Sequence, residues 1–193
     1  MKRIEQQQVK TRQILAAAER LFLEHGYVGT TMDAVAEEAA VTKQTVYRYF
    51  PSKADLVIAL IEGDDDGART FAFGDGGAGQ ELERYGVAFL SEHMTPHNLG
   101  FFRMMMTEAR DHGELGEIFR TRAQPSWRDG LVRFLSDHLD RPVDPAMADL
   151  FNSMLLSQRT AILMGNRPPM SAEEIASHVA LVVGVFLHGA GMR

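Results

Sequence analysis

The 193-residue chain is predicted to be all-α, and three observations carry that expectation. Apolar residues recur at helical spacing in almost every segment. Ser, Thr or Asp stands ahead of those segments, and Gly or Pro follows them. No stretch alternates apolar and polar residues as a half-buried strand does.

The first helix is expected from about residue 8 to His25, with Ile14, Ala18, Leu21 and Phe22 on its apolar face and Gly26 as its stop. The second starts at Thr30-Thr31, where Asp33 stands three residues after Thr30 as in a capping box. Met32, Val35, Ala36 and Ala39 form its apolar face, and a tight turn at Ala40-Val41 follows. Thr42 then caps a short third helix that stops at Pro51. Ser52 with Asp55 caps a fourth, carrying Leu56, Ala59, Leu60 and Ile61. GDDDGART and then GDGGAG (74–79) read as loop. Further helices are expected over Gln80–Met94, over Asn98–Asp111, and past Gly113 and Gly116 to about Leu139, with Pro125 starting a new helix or kinking the old one. Asp144 caps a helix with Pro145 in its first position, running to Met164. GNRPP ends it, and Ser171 with Glu174 caps the last helix, to about His188.

Composition narrows the classes. With no cysteine, disulfides, thiolate zinc sites and cysteine nucleophiles are excluded. No run of 18 apolar residues suggests a membrane span, and MKRIEQQQVKTRQ has no apolar core of a secretory signal, so a cytoplasmic location is expected. DDDG (64–67) resembles the start of a calcium loop, but the glutamate that loop needs six residues after its glycine is Phe73 here. Glu108 and His112, four apart, are two ligands without a third, so no metal site is expected. No cofactor is expected either: there is no phosphate-cradling or dinucleotide fingerprint, no GxSxG and no HExxH, so the chain is not read as an enzyme.

The net charge of −6 argues against nucleic acid until its distribution is considered. Residues 1–53 hold eight Lys/Arg against six Asp/Glu, a net +2, and the rest of the chain carries −8. A basic head on an acidic body suggests two jobs. The third helix, in VTKQTVYRYFPSK, is too polar to be justified by packing: Val46 and Phe50 anchor it, and its other face is free. Three short helices with a tight link between the second and third read as a helix-turn-helix. Thr42, Lys43, Gln44 and Thr45 suit base edges. Tyr47, Tyr49 and Lys53 offer donors to the phosphate backbone, as does Thr31 at a helix start.

Residues about 10–57, ILAAAERLFLEHGYVGTTMDAVAEEAAVTKQTVYRYFPSKADL, resemble the DNA-binding domain of the tetracycline-repressor (TetR) family of bacterial regulators. Phe22, Gly26-Tyr27, Thr30-Thr31, the Tyr47-to-Phe50 run and Ser52-Lys53 fall in register. The resemblance implies phosphate contacts from Thr31, Tyr47, Tyr49 and Lys53, and bases facing Thr42 to Thr45. It departs at Ala40, where the turn often carries glycine; a left-handed backbone there costs alanine about 1–2 kcal/mol. FFRMMMTEARDHGELGEIFR, from Phe101, resembles AefR-like repressors.

The expected division is a helix-turn-helix domain over 1–55 and a larger helical domain over 56–193 for ligand binding and dimerisation. Phe89, His93, Phe101, Arg103, Met105, Trp127 and Phe151 are candidate ligand contacts, because large soft side chains with a few polar anchors suit a small-molecule site. Phe151, Met154, Leu155, Val179, Val182, Val183 and Phe186 are candidates for a homodimer interface, since the last helix is apolar around much of its girth. The function expected is a homodimeric repressor released from a palindromic DNA operator by a small-molecule effector. Alternatives are an activator or ligand-independent architectural DNA protein, and a helical ligand-binding or interaction protein that reads no DNA.

Overall fold

The computed structural model describes residues 2–62, 71–122 and 125–190, with backbone alone at 2–5, 62, 119–122, 125–126 and 190. The acidic run 64–67 lies outside them. The described residues contain helices and no strand: α1 (Lys2–Gly29), α2 (Met32–Glu38), α3 (Lys43–Tyr49), α4 (Lys53–Glu62), α5 (Ala78–His93), α6 (Pro96–Glu108), α7 (Gly113–Arg122), α8 (Pro125–Leu139), α9 (Pro145–Leu155), α10 (Arg159–Leu163) and α11 (Ala172–Ala190).

The chain forms two compact units. The first comprises Met1–Ala68 with Gly100–Ala123, the second Arg69–Leu99 with Gln124–Arg193. The division falls inside α6, and it assigns the stretch around α7 to the same unit as α1–α4 rather than following the expected functional boundary at residue 55.

In the first unit, Ile14, Phe22, Val35, Val46, Leu56, Met105 and Leu115 form one buried core. α1 kinks at Gly26, whose φ of 74° is open to glycine and costly for other residues. The kink frees backbone amides, and Glu108 accepts from two of them, Tyr27 N at 3.0 Å and Val28 N at 2.8 Å. A Cβ on residue 26 would collide with that carboxylate. Thr31 rather than Thr30 is the N-cap of α2, accepting from Ala34 N at 3.1 Å. The expected Thr30–Asp33 box does not form. Thr30 is buried and donates to Gly26 O at 2.7 Å, while Asp33 pairs with Lys43.

The α2–α3 turn is a Schellman motif: Val41 N donates to Ala36 O and Ala40 N to Glu37 O, each at 3.0 Å. Ala40 holds the left-handed position, φ 49°. Gln13 reaches across from α1 and donates to Ala39 O at 2.7 Å, satisfying a carbonyl the helix end leaves free. The α4 box forms as expected, Ser52 N to Asp55 Oδ2 at 2.9 Å and Asp55 N to Ser52 Oγ at 3.2 Å.

In the second unit, α5, α9 and α11 pack together, with Tyr85, Phe89, Leu131, Phe151, Leu155 and Val179 buried. Gly86 makes the close approach of α5 possible: a Cβ there would lie 2.7 Å from Val179 Cγ1. Glu81, buried in the first turn of α5, accepts from Gly74 N at 2.7 Å and from Arg84 at 2.6 Å. The Gly74 amide, ahead of Arg84, holds its carboxyl below the usual range. Asp144 caps α9 and the Ser171–Glu174 box caps α11, as expected. The helix expected to run from Pro145 to Met164 is instead broken by a 3-10 turn at Leu156–Gln158. Ala172–Gly189 is long and apolar enough to cross a membrane by length and composition. Ile175, Val179, Val182, Val183 and Phe186 nonetheless bury one stripe of it against its own unit, the layout of a core helix.

Candidate functional site

α3 begins with Thr42, whose hydroxyl accepts from Thr45 N at 3.2 Å and lies 2.8 Å from the Thr45 hydroxyl. Val46 and Phe50 are buried, and they fix which side of the helix faces out. Lys43, Gln44, Tyr47 and Arg48 are exposed. Gln44 and Arg48, one turn apart, stand opposite Val46, and Lys43 and Tyr47 flank them.

The eight residues expected to touch DNA divide by what already holds them. Thr31, Thr42, Lys43, Gln44 and Tyr47 are exposed, and Thr45, Tyr49 and Lys53 half-buried. Lys43 is paired with Asp33 at 2.7 Å, and that hydrogen-bonded carboxylate pushes its pKa up. Lys53 donates to Tyr27 O at 2.6 Å and lies 4.4 Å from the centre of the Tyr27 ring, with burial lowering its pKa. Lys53 therefore closes the carbonyl end of the α1 kink. Tyr27 is held in turn: burial, then Glu114, pushes its hydroxyl to about 12.

Arg48 was passed over by the sequence reading. Its guanidinium rests 5.2 Å from the Tyr49 ring, and among the described residues no carboxylate pairs with it. The signal was present in the sequence, because Arg48 follows Gln44 by one helical turn and avoids the Val46–Phe50 side.

The candidate ligand residues do not gather in one cluster. Phe89, His93, Trp127 and Phe151 belong to the second unit, with Phe89 and Trp127 edge to face at 5.4 Å and His93 against Phe89 at 4.0 Å. In the first unit, Met105 is core, Phe101 packs against that core and Arg103 is exposed. Around Phe89 and Trp127 stand Phe71, Phe73, Tyr85 and Phe134. Tyr85 is fully buried, and its hydroxyl, pushed up by burial, donates to Asn152 Oδ1 at 2.9 Å. Asn152 is 3% exposed, and its Nδ2 has no hydrogen-bond partner among the described residues. A core amide donor left in that state costs about 1–3 kcal/mol.

The candidate interface residues lie mostly in the core of their own unit. Phe151, Leu155, Val179, Val182, Val183 and Phe186 are buried within their own unit, and Met154 is half-buried. The apolar periodicity was real, but it faces α5 and the aromatic core. The uncovered face of α11 carries Ser177, Leu181, Gly184, Val185 and His188, with Leu181 66% exposed and no Asp, Glu, Lys or Arg among them.

A family model for bacterial regulatory proteins of the tetR family matches residues 14–60. A second, for the C-terminal domain of AefR-like transcriptional repressors, matches residues 80–189, more than half of the chain. The chain belongs to the TetR family. Over 52 residues the chain is 56% identical to an uncharacterized HTH-type transcriptional regulator of Mycobacterium tuberculosis, covering 26% of each chain. Over 63 residues it is 41% identical to the HTH-type transcriptional regulator TtgR of Pseudomonas putida, covering 32% of this chain and 30% of that one. The matched stretch thus spans about a third or less of these curated relatives. Among solved structures, the Flavonoid-responsive Regulator FrrA superposes with a TM-score of 0.75 at 25% identity, covering 93% of this chain and 96% of that one.

Proposed function

We propose that this TetR-family chain is a homodimeric repressor that binds a palindromic DNA operator and is released by a small-molecule effector. The observation that carries the reading is the outward stripe of α3. Arg48 offers two parallel donors and Gln44 a donor beside an acceptor, the bidentate sets that read purine edges, while Tyr47 and Lys43 flank them toward the backbone. Residues 1–55 supply the reading head, and the remainder supplies effector binding and dimerisation. One short helix reads too few base pairs alone; two heads about one helical turn apart read a palindrome. The uncovered α11 face around Leu181 and Val185 supports pairing of two copies.

The AefR-like repressor match and the effector response named for FrrA support ligand control. To weaken operator binding 100-fold, an effector must favour the non-binding form by about 2.7 kcal/mol. No catalytic step enters the mechanism, and the protein works where the DNA is, in the cytoplasm.

The test is selection from random-sequence duplexes with purified wild-type protein. A two-fold symmetric consensus bound with strong salt dependence is expected. No enrichment of any duplex, even at low salt, contradicts the reading.

A further inference from the structure

Tyr27 follows the kink in α1, and its amide, carbonyl and hydroxyl are each held by another helix of the first unit. Glu108, the last residue of α6, accepts from the Tyr27 amide with one carboxylate oxygen and from the Val28 amide with the other. Lys53, the first residue of α4, donates to the Tyr27 carbonyl and lies over its ring. The Tyr27 hydroxyl donates to Glu114 in α7 at 3.4 Å, and its ring stacks on Phe22 at 5.8 Å. Gly26 O, just before it, accepts from Thr30. The connector from α1 into α2 is thus tied at successive backbone groups, and α2 passes into α3 through the turn at Ala40. Glu108 and Lys53 also bring opposite charges to one residue: burial lowers the Lys53 pKa, and the Glu108 charge opposes that lowering.

We infer that Glu108 and Lys53 are positioning residues for DNA binding: they clamp Tyr27 from opposite sides, set how α2 and α3 leave α1, and Lys53 acts through this clamp rather than through a phosphate. The inference departs from the phosphate contact that the family resemblance implies for Lys53. A lysine kept for a phosphate points its ammonium at solvent, whereas this one is spent on a carbonyl and a ring of its own chain. Without Glu108, two amides at a turn with φ 74° lose their acceptor, and the connector must move to find others. Electrostatics alone gives Glu108 the opposite role, because a carboxylate repels DNA and its neutralisation strengthens binding. The inference rests on the reading of the chain as a DNA-binding regulator, and it carries the DNA-reading machinery past residue 55 to Glu108.

The test measures the affinity of full-length wild type, Lys53→Met and Glu108→Gln for the palindrome that wild type selects, over a range of salt concentrations. Circular dichroism first checks that each variant keeps wild-type helicity. Lys53→Met is expected to weaken binding about tenfold at every salt concentration, with the slope of log affinity against log salt unchanged; a lost phosphate contact would flatten that slope by about 0.9. Glu108→Gln is expected to weaken binding as well, against the direction its lost charge dictates. In the Glu108→Gln background, Arg48→Ala should cost less than in wild type, because a displaced α3 no longer aims Arg48; a role in stability alone leaves the two losses additive. A flattened slope for Lys53→Met overturns the inference, as does wild-type affinity in either variant. So do additive losses from Glu108→Gln and Arg48→Ala. The two clamp residues lie on different helices, so a variant that fails to fold leaves the decision to the other. A wild type that selects no duplex removes the regulator reading and the inference with it; a wild type that selects a palindrome, with both variants binding as it does, removes only the clamp.

Discussion

The first unit turns its uncommitted hydrogen-bonding groups outward along α3, whereas the second encloses one within an aromatic core. Around α3 the inner polar groups have partners: Thr42 caps the helix, Gln13 closes the end of α2, and Glu108 and Lys53 close the kink after Gly26. What stays available is on the surface, Gln44 and Arg48 foremost. In the second unit two buried donors lack a hydrogen-bond partner among the described residues, Arg128 Nε and Asn152 Nδ2, the latter on a residue 3% exposed. Recognition of a large charged surface needs donors held outside, and recognition of a small molecule needs few donors held where water is excluded. Under the proposed function, the outward donors of α3 answer the first demand.

Several changes break or sharpen that contrast. Phe89→Ala removes a fully buried ring and should cost about 3–5 kcal/mol in urea unfolding, against a negligible cost for Gln44→Ala on the α3 surface. Comparable losses from the two would erase the distinction between a packed core and a reading surface. Leu181→Glu places a charge on the uncovered α11 face. It should convert a dimer to a monomer in sedimentation at micromolar concentration, with the helical content unchanged. Ala40→Gly should stabilise the chain by about 1 kcal/mol, because Ala40 bears the left-handed strain. The molecule contains its own control: the same motif ends α10, with Gly165 at φ 74° and bonds from Gly165 N to Ile162 O and Asn166 N to Ala161 O. Melting temperature reads the difference, and no gain would mean that the Ala40 turn is relaxed. The smallest effect is Asp33→Ala. It frees Lys43 from an exposed, solvent-screened pair, so duplex affinity at low salt should rise a few-fold with stability almost unmoved.

What was legible in the sequence was local. Thr42, the Ser52–Asp55 and Ser171–Glu174 boxes, and Asp144 before Pro145 all form as read, because each cap involves residues at most three apart. Ala40 was legible as an alanine in a glycine position. The Thr30–Asp33 box failed because Thr31, one residue on, made a better cap and Asp33 found Lys43 ten residues away. The 3-10 turn at Leu156–Gln158 carries no Gly or Pro to announce it. The candidate dimer-face residues show the limit of that signal. Apolar periodicity says that a stripe is buried, not what buries it, and Val179 and Phe186 turned out to face their own core. Asn152 was visible as a polar residue on the α9 stripe, but its missing partner depends on Tyr85, 67 residues earlier in the chain.

The most direct measurement pairs duplex affinity with melting temperature for wild type and Arg48→Ala on the palindrome that wild type selects. The account predicts a loss of about 10- to 100-fold in affinity, the range of a good bidentate base contact, relaxed preference at one base pair of each half-site, and an unchanged melting temperature. Equal affinity and equal preference in the two proteins would contradict the assignment of the outward face of α3 as the surface that reads DNA.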